Sequence, residues 1–248
     1  MGSLYHRPGY TRSKKADVPR HIDAMSASAV ILAAGCGDRM QTNENKLLLP
    51  ICGQALICHT VSAFARIPEL ADLVLVVHPD EMEIIRQLVQ PIADHCRFVE
   101  GGETRRDSSL VGVRAATGDI VLIHDGARPF PSPTLIQHIL TVVQYENAVI
   151  PVLPIPDLLH RVDETTARIV KLRNSSSHPL VCAQTPQGFR HDLILRCLES
   201  AAPEIRDDAT AILLAGEPVA TVPGEPTNIK VTRLEDLALA EAIAAFQG

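Results

Sequence analysis

The sequence predicts an α/β protein built on a mostly parallel β-sheet with helices on both faces. Three observations carry this. Four short runs, 29–34, 73–77, 120–123 and 148–153, are almost wholly apolar, as strands buried on both faces are. Stretches with helical spacing of apolar residues lie between them, and this alternation argues for parallel neighbours. The first run stops in a glycine-bearing turn, where small residues let backbone N–H groups approach an anion.

Taken in order, residues 1–26 carry Lys, Arg and His without an apolar stretch and predict a flexible leader; the folded unit is expected over 27–248. Strand 29–34 is followed by a helix over 56–65, strand 73–77, and a helix over 80–92, with Asp80 after Pro79 as its start signal. A helix over 108–116, strand 120–123, a helix over 133–145 and strand 148–153 follow. The pattern then changes. Pro154 and Pro156 interrupt the chain, 158–163 and 168–172 read as two short strands around a polar turn, and 174–179 reads as a loop. Residues 154–183 are therefore expected to form a hairpin-like β-arm. Such an arm has apolar residues but no core of its own, which predicts packing on a second subunit and hence a homodimer. Helices over 191–202 and 208–215, a strand over 219–222 and a helix over 234–246 complete the chain; in the last, Leu237, Ala240, Ile243 and Ala244 share one face.

Composition narrows the function. The 248 residues are 46% apolar and 21% charged, with a formal net charge of -6. That balance supports a sizeable core and argues against nucleic acid as the main partner. Aromatics are 3% and Trp is absent, leaving little for stacking on single strands. No apolar run approaches the ~20 residues that span a bilayer, and residues 1–25 lack the apolar core of a secretory signal. The six cysteines (36, 52, 58, 96, 182 and 197) form no CxxC pair. Reduced, mostly buried thiols in a cytoplasmic protein, with no membrane partner, are expected.

The most informative stretch is Leu32-Ala33-Ala34-Gly35-Cys36-Gly37-Asp38-Arg39-Met40, with Lys46 seven residues after Arg39. A buried strand runs into a small turn, and two cations accompany it. Together they suit a triphosphate and the charge that builds as pyrophosphate leaves. The dinucleotide fingerprint fails here, because Met40 stands where Gly or Ala is needed and no acidic residue follows about twenty positions on. A Walker A loop is absent. Taken alone, an ordinary glycine turn with solvated charges remains open.

The loop does not stand alone. With Lys46 it resembles the nucleotide-binding signature of the cytidylyltransferases acting on 2-C-methyl-D-erythritol 4-phosphate and on ribitol 5-phosphate. The resemblance continues, in order, through Gly101-Gly102-Glu103-Thr104-Arg105 with Asp107-Ser108, His124-Asp125-Gly126-Ala127-Arg128-Pro129, Gln184-Thr185-Pro186-Gln187-Gly188-Phe189, Asp207-Asp208-Ala209, and Asn228-Ile229-Lys230-Val231-Thr232 with Glu235-Asp236-Leu237. It implies a Rossmann-like fold, a homodimer formed through the protruding arm, Mg²⁺ or another divalent cation, and transfer of CMP from CTP to a small phosphorylated acceptor in isoprenoid precursor synthesis.

Residue by residue, the resemblance implies that Ala33, Ala34, Gly35 and Gly37 form the phosphate turn. Arg39, Lys46 and Lys230 become catalytic cations, and Asp125 the metal-binding carboxylate. Gly102 and Ser108 fall where cytosine and ribose are recognised; read alone, they suit a turn entering a helix. Arg128 and Lys230 fall near the acceptor phosphate. Thr185 and Gln187 read as structural markers. His124 reads as a packing or hydrogen-bonding residue, because an anionic phosphate attacks without a general base. The departures gather on the acceptor side. Leu158 follows Asp157 where the methylerythritol phosphate enzymes have Thr, Ser177 or a shifted Arg173 stands for an Arg, and Arg206 replaces a Thr. Leu158 and Arg206 are thus candidate acceptor-binding positions whose change points to methylerythritol phosphate or a relative such as ribitol 5-phosphate or a hydroxyalkyl phosphonate. Three other classes compete: a nucleotide-sugar pyrophosphorylase, a non-catalytic CTP-binding module and a dehydrogenase. The Asp-Gly-Ala-Arg-Pro and Gln-Thr-Pro-Gln elements argue against the first, the joint presence of Arg39, Lys46 and Asp125 against the second, and Met40 against the third.

Overall fold

The computed structural model describes residues 25–35, 45–163, 165–170 and 179–247. The expected leader, apart from Met25 and Ser26, and the segments holding Gly37, Arg39, Arg173 and Ser177 lie outside the described residues.

In chain order the first half comprises β1 (Ala27–Ala33), β2 (Pro50–Ile51), β3 (Gln54–Ala55), α1 (Leu56–Ala65), β4 (Leu70–Val77), α2 (Met82–Val89), β5 (Arg97–Glu100), α3 (Arg105–Ala115), β6 (Ile120–Asp125) and α4 (Pro133–Glu146). The second half comprises β7 (Ala148–Pro154), β8 (Arg161–Asp163), β9 (Arg168–Val170), β10 (Val181–Ala183), β11 (Gln187–Arg190), α5 (His191–Ser200), α6 (Asp208–Leu214), β12 (Ala220–Pro223) and α7 (Glu235–Gln247).

The apolar runs become the centre of an eight-stranded sheet ordered β5-β4-β1-β6-β11-β7-β10, with β12 joined to β7. Period-two alternation along β1 divides the core. Ala27, Ala29, Ile31 and Ala33 enter one cluster with residues of α1, α2, α4 and α7. Val30 enters the other, with α3, α5 and α6. Both faces are thus covered by helices, as the continuous apolar runs require. In α7, Ala240 is fully buried, with Leu237, Ile243 and Ala244 partly buried beside it.

Strand order positions the site. β1 pairs in parallel with β4 on one side and with β6 on the other. The chain leaves β1 toward β4 and β5, then returns on the opposite side as β6. This reversal opens a crevice at the carboxyl ends of β1 and β6, where Leu32 is in register with Asp125.

The remainder departs from the sequence reading in instructive ways. β11 inserts antiparallel between β6 and β7, and β10 also pairs antiparallel with β7. β11 is only Gln-Gly-Phe-Arg, without an apolar run, and its Gly188 lets Ile139 of α4 approach so closely that a Cβ would collide with it. Within the segment expected as an arm, β8 and β9 form a separate two-stranded sheet, while 181–183 pair with β7 in the main one. The helix expected over 80–92 opens with a 3₁₀ turn at Pro79–Glu81 before Met82–Val89. Of the described cysteines, Cys58, Cys96 and Cys197 are buried, whereas Cys52 and Cys182 are exposed. Burial pushes the Cys96 thiol up to about 12. Among the described residues no helix is long and apolar enough to cross a membrane.

Candidate active site

A cleft of about 380 Å³ opens at the carboxyl ends of β1 and β6. Its described lining comprises Leu32, Ala34 and Gly35 from the β1 turn, Lys46 and Leu47, and Gly102, Glu103, Thr104, Arg105 and Ser108 at the start of α3. Asp125, Gly126 and Ala127 after β6, together with Lys230 and Thr232, close it.

Local chemistry explains each wall. Gly126 N–H donates to the Leu32 carbonyl at 2.8 Å, drawing the two strand ends together, and a Cβ on Gly126 would lie 2.8 Å from that oxygen. Thr104 caps α3 reciprocally with Asp107, satisfying two otherwise orphaned N–H groups. The glycines before it are needed for close approach: a Cβ on Gly102 would collide with Asp107, and one on Gly101 with Ala34. Ser108 is therefore not the cap but a first-turn residue, buried, with its hydroxyl 3.4 Å from the Gly102 carbonyl. Lys46 opens a 3₁₀ turn capped by Asn45, whose side chain accepts from Leu47 N–H.

Asp125 is the electrostatic centre. Lys230 Nζ donates to its Oδ2 at 2.8 Å; Arg105 Nη2 stands 3.6 Å from Oδ1 and Arg128 Nε 3.7 Å from Oδ2. Burial alone would raise its pKa, but the Lys230, Arg105 and Arg128 cations outweigh it and hold the carboxyl far below the usual range. Asp125 is an anion at any physiological pH.

A chain of hydrogen bonds fixes Asp125 from behind. Its backbone N–H donates to Thr185 Oγ1 at 3.1 Å, Thr185 Oγ1 lies 3.0 Å from His124 Nδ1, and His124 Nε2 lies 2.9 Å from the Arg128 carbonyl. A carbonyl only accepts, so Nε2 carries the proton, Nδ1 accepts, and the Thr185 hydroxyl donates to it. Burial lowers the His124 pKa to about 4, keeping the ring neutral at pH 7. Both its nitrogens are engaged, which makes it a positioning group. The neighbouring Gln184 donates to the carbonyls of Glu225 and Asn228, while Asn228 donates to that of Thr185. Gln187 accepts from Ala209 N–H at the start of α6. The Gln-Thr-Pro-Gln element thus ties β6, the 225–232 segment and α6 together.

The cleft brings together Ala34, Gly35, Lys46, Gly102, Ser108, Asp125 and Lys230 from distant parts of the sequence. Ala33 is buried beneath it. Three acceptor-side expectations are not placed there in a single chain. Arg128 is partly buried beside Asp125, its Nη1 donates to the Asn228 carbonyl at 2.8 Å, and it is not among the lining residues. Leu158 is 81% exposed between β7 and β8, because the arm leaves the main sheet there. Arg206 is exposed just before the N-cap of α6.

Arg105 and Asp208 lie within the matched motifs, and their residue types alone assign them no role. Arg105 Nη2 reaches Asp208 Oδ2 at 2.7 Å, across 103 positions of sequence. Burial would lower the Arg105 pKa, but Asp208 and Asp125 more than offset it and raise it. Their only sequence signal was membership of the Gly-Gly-Glu-Thr-Arg and Asp-Asp-Ala motifs.

The family model described as "IspD: 2-C-methyl-D-erythritol 4-phosphate cytidylyltransferase" matches residues 27–245. The chain belongs to the IspD family. An IspD relative from Acidobacterium capsulatum, named 2-C-methyl-D-erythritol 4-phosphate cytidylyltransferase, is 34% identical over 229 residues, covering 87% of this chain and 96% of its own. A bifunctional IspD/IspF enzyme from Bartonella bacilliformis is 36% identical over 227 residues, covering 88% of this chain; the chain spans about half the length of that relative, 56%. Among solved IspD-type structures, the 4-diphosphocytidyl-2C-methyl-D-erythritol synthase of Anaerococcus prevotii superposes with a TM-score of 0.77 at 29% identity, covering 90% of this chain and 98% of its own. The Thermus thermophilus 2-C-methyl-D-erythritol 4-phosphate cytidylyltransferase does so at 0.73 and 34%, covering 89% and 100%. The IspD match includes the β1 turn, the arm and every wall of the cleft.

Proposed function

We propose that this chain transfers CMP from CTP to 2-C-methyl-D-erythritol 4-phosphate, releasing pyrophosphate, as a step toward isoprenoid precursors. The observation that carries the reading is the Asp125–Lys230 pair, held at a strand-order reversal and facing a cleft walled by a small-residue turn. Family membership supports the same reaction.

The residues fit a divalent cation of one kind. No cluster of three His, Cys, Asp or Glu suited to a metal occurs among the described residues. Asp125 presents one carboxylate oxygen, Oδ1, that accepts no hydrogen bond, while Oδ2 accepts from Lys230. That suits Mg²⁺ arriving with a nucleotide, which keeps waters and phosphate oxygens and needs one or two carboxylates. When bound, it supplies neutralisation of the triphosphate charge.

The chain's own groups do the rest. The turn at Ala34 and Gly35 brings backbone close to phosphate, and Gly102 and Ser108 form the wall assigned to cytosine and ribose. Lys46 and Lys230, with Arg39, neutralise the two anions that must meet. An acceptor phosphate oxygen then bonds to the α-phosphorus, the bond to the bridging oxygen breaks, and its electron pair leaves on pyrophosphate. The attacking group is already an anion, so His124 is not needed as a base. Positioning and charge neutralisation are the protein's tasks.

Leu158 and Arg206 favour a second reading of the acceptor alone, in which another phosphorylated polyol or a hydroxyalkyl phosphonate is used. Pyrophosphate release with CTP and Mg²⁺ across methylerythritol phosphate, ribitol 5-phosphate, glycerol 3-phosphate and a hydroxyalkyl phosphonate separates the two. Turnover with methylerythritol phosphate, lost in Asp125→Ala, is expected. Turnover with another acceptor alone replaces the first reading, and CTP binding without turnover on any acceptor rejects both.

The arm supports a homodimer. Leu158, Val162, Ile169 and Leu180 are exposed in one chain, more apolar surface than two short strands carry alone in water. Ile169→Glu is expected to shift the mass measured by light scattering from dimer to monomer; a wild-type monomer at micromolar concentration rejects the assembly.

A further inference from the structure

We infer that Asp208 is a positioning residue that holds the Arg105 guanidinium back from Asp125, keeping the Oδ1 edge of that carboxylate open to a divalent cation. The inference rests on the reading of Asp125 as the metal carboxylate.

Arg105 stands at the first position of α3, in the cleft wall, between two carboxylates. Its Nη2 is 2.7 Å from Asp208 Oδ2 but 3.6 Å from Asp125 Oδ1. The nearer carboxylate is the one fully buried. The pairing is incomplete: Arg105 Nη1 and Asp208 Oδ1 are both buried without a hydrogen-bond partner. A guanidinium ordinarily resolves such a deficit by a two-pronged grip on a carboxylate. Asp125 Oδ1 lies within a short movement of Nη2, and its other oxygen is already taken by Lys230. Without the Asp208 charge, Arg105 gains by closing on Oδ1. The edge a cation would use is then occupied by a fixed positive group, and cation binding must displace it.

Asp208 is placed for this by its backbone. It begins α6 directly after the capping residue Asp207, and α6 is tied to the main sheet through Gln187. Groups that orient a metal ligand indirectly typically change metal affinity by about 10–100-fold when lost.

The test is calorimetric CTP binding with and without Mg²⁺, on the full-length protein without acceptor. The metal-free dissociation constant divided by the one with Mg²⁺ reads the cation's grip, and metal-free binding serves as internal control. In Asp208→Asn this ratio is expected to fall by about 10–100-fold, toward that of Asp125→Asn, with metal-free binding near the wild-type value. Adding Arg105→Met to Asp208→Asn is expected to restore the ratio, because the competing cation is gone; a purely structural role for Asp208 predicts no such rescue. An unchanged ratio in Asp208→Asn, or loss of both binding arms together without rescue, overturns the inference. A wild-type ratio in Asp125→Asn instead overturns the metal reading on which it rests.

Discussion

At the scale of single residues, the site is a carboxylate paired with cleft-lining cations and fixed from behind by groups outside the cleft lining. Thr185 shows how. Its hydroxyl accepts from Asp125 N–H and donates to His124 Nδ1. Thr185→Val keeps the shape and leaves a buried donor and a buried acceptor unpaired, at a cost of about 1–3 kcal/mol in stability. Urea unfolding should show that loss, and pyrophosphate release should fall in kcat more than in the KM for CTP. Thr185→Ser should recover both. Much of the site was legible at this scale, because Asp125, Lys46, Lys230, Gly102 and Ser108 are chemically apt residues inside contiguous motifs. The Arg105–Asp208 bridge was not legible, since its partners are 103 positions apart and each motif alone reads as a helix start.

Among the elements, α3 packs closely against the sheet through a glycine. A Cβ on Gly112 would collide with Val30 and lie 2.8 Å from Val76 Cγ2, both buried side chains of the sheet. Gly112→Ala therefore sets two effects against each other. Helix propensity favours Ala by about 1 kcal/mol, while forcing a methyl into a packed contact costs about 1–3 kcal/mol. Overpacking should win, and the variant should melt at lower denaturant than wild type; equal or greater stability would show that α3 can shift. The helix begins at Arg105, three residues before the 108 expected from the sequence, because Thr104 and Asp107 cap it reciprocally. That earlier start puts Arg105 in the first turn of α3.

For the whole molecule, the two ends of the parallel strands have different tasks. The carboxyl ends carry the cleft. At the amino ends, Asp72 accepts from Ser28, from Arg97 at 2.6 Å, and from Thr117 N–H. Burial would raise the Asp72 pKa, but these hydrogen bonds, Arg97 first, lower it. Its folded value thus lies below the unfolded value of about 3.9. The stabilisation is full above about pH 4 and is lost as pH falls through the folded value. Asp72→Asn should lower stability at pH 7 by about 1–3 kcal/mol and flatten the acid limb below pH 4. Denaturant melts from pH 7 to 3 check both, and parallel acid limbs in the two proteins would exclude Asp72 as the titrating group.

The sequence by itself determined the α/β class, the parallel centre of the sheet and the family, because buried strands require continuous apolar runs and the cleft-lining chemistry is written in short local motifs. Tertiary structure alone decided three things. β11 enters the sheet between β6 and β7 although its four residues carry no apolar run. Arg128, an apt phosphate binder by type, instead donates to the Asn228 carbonyl and so holds the 225–232 segment. Arg105 and Asp208 meet across the fold. In each case the deciding interaction joins residues far apart in the chain, and its energy exists only once the backbone has brought them within hydrogen-bond range.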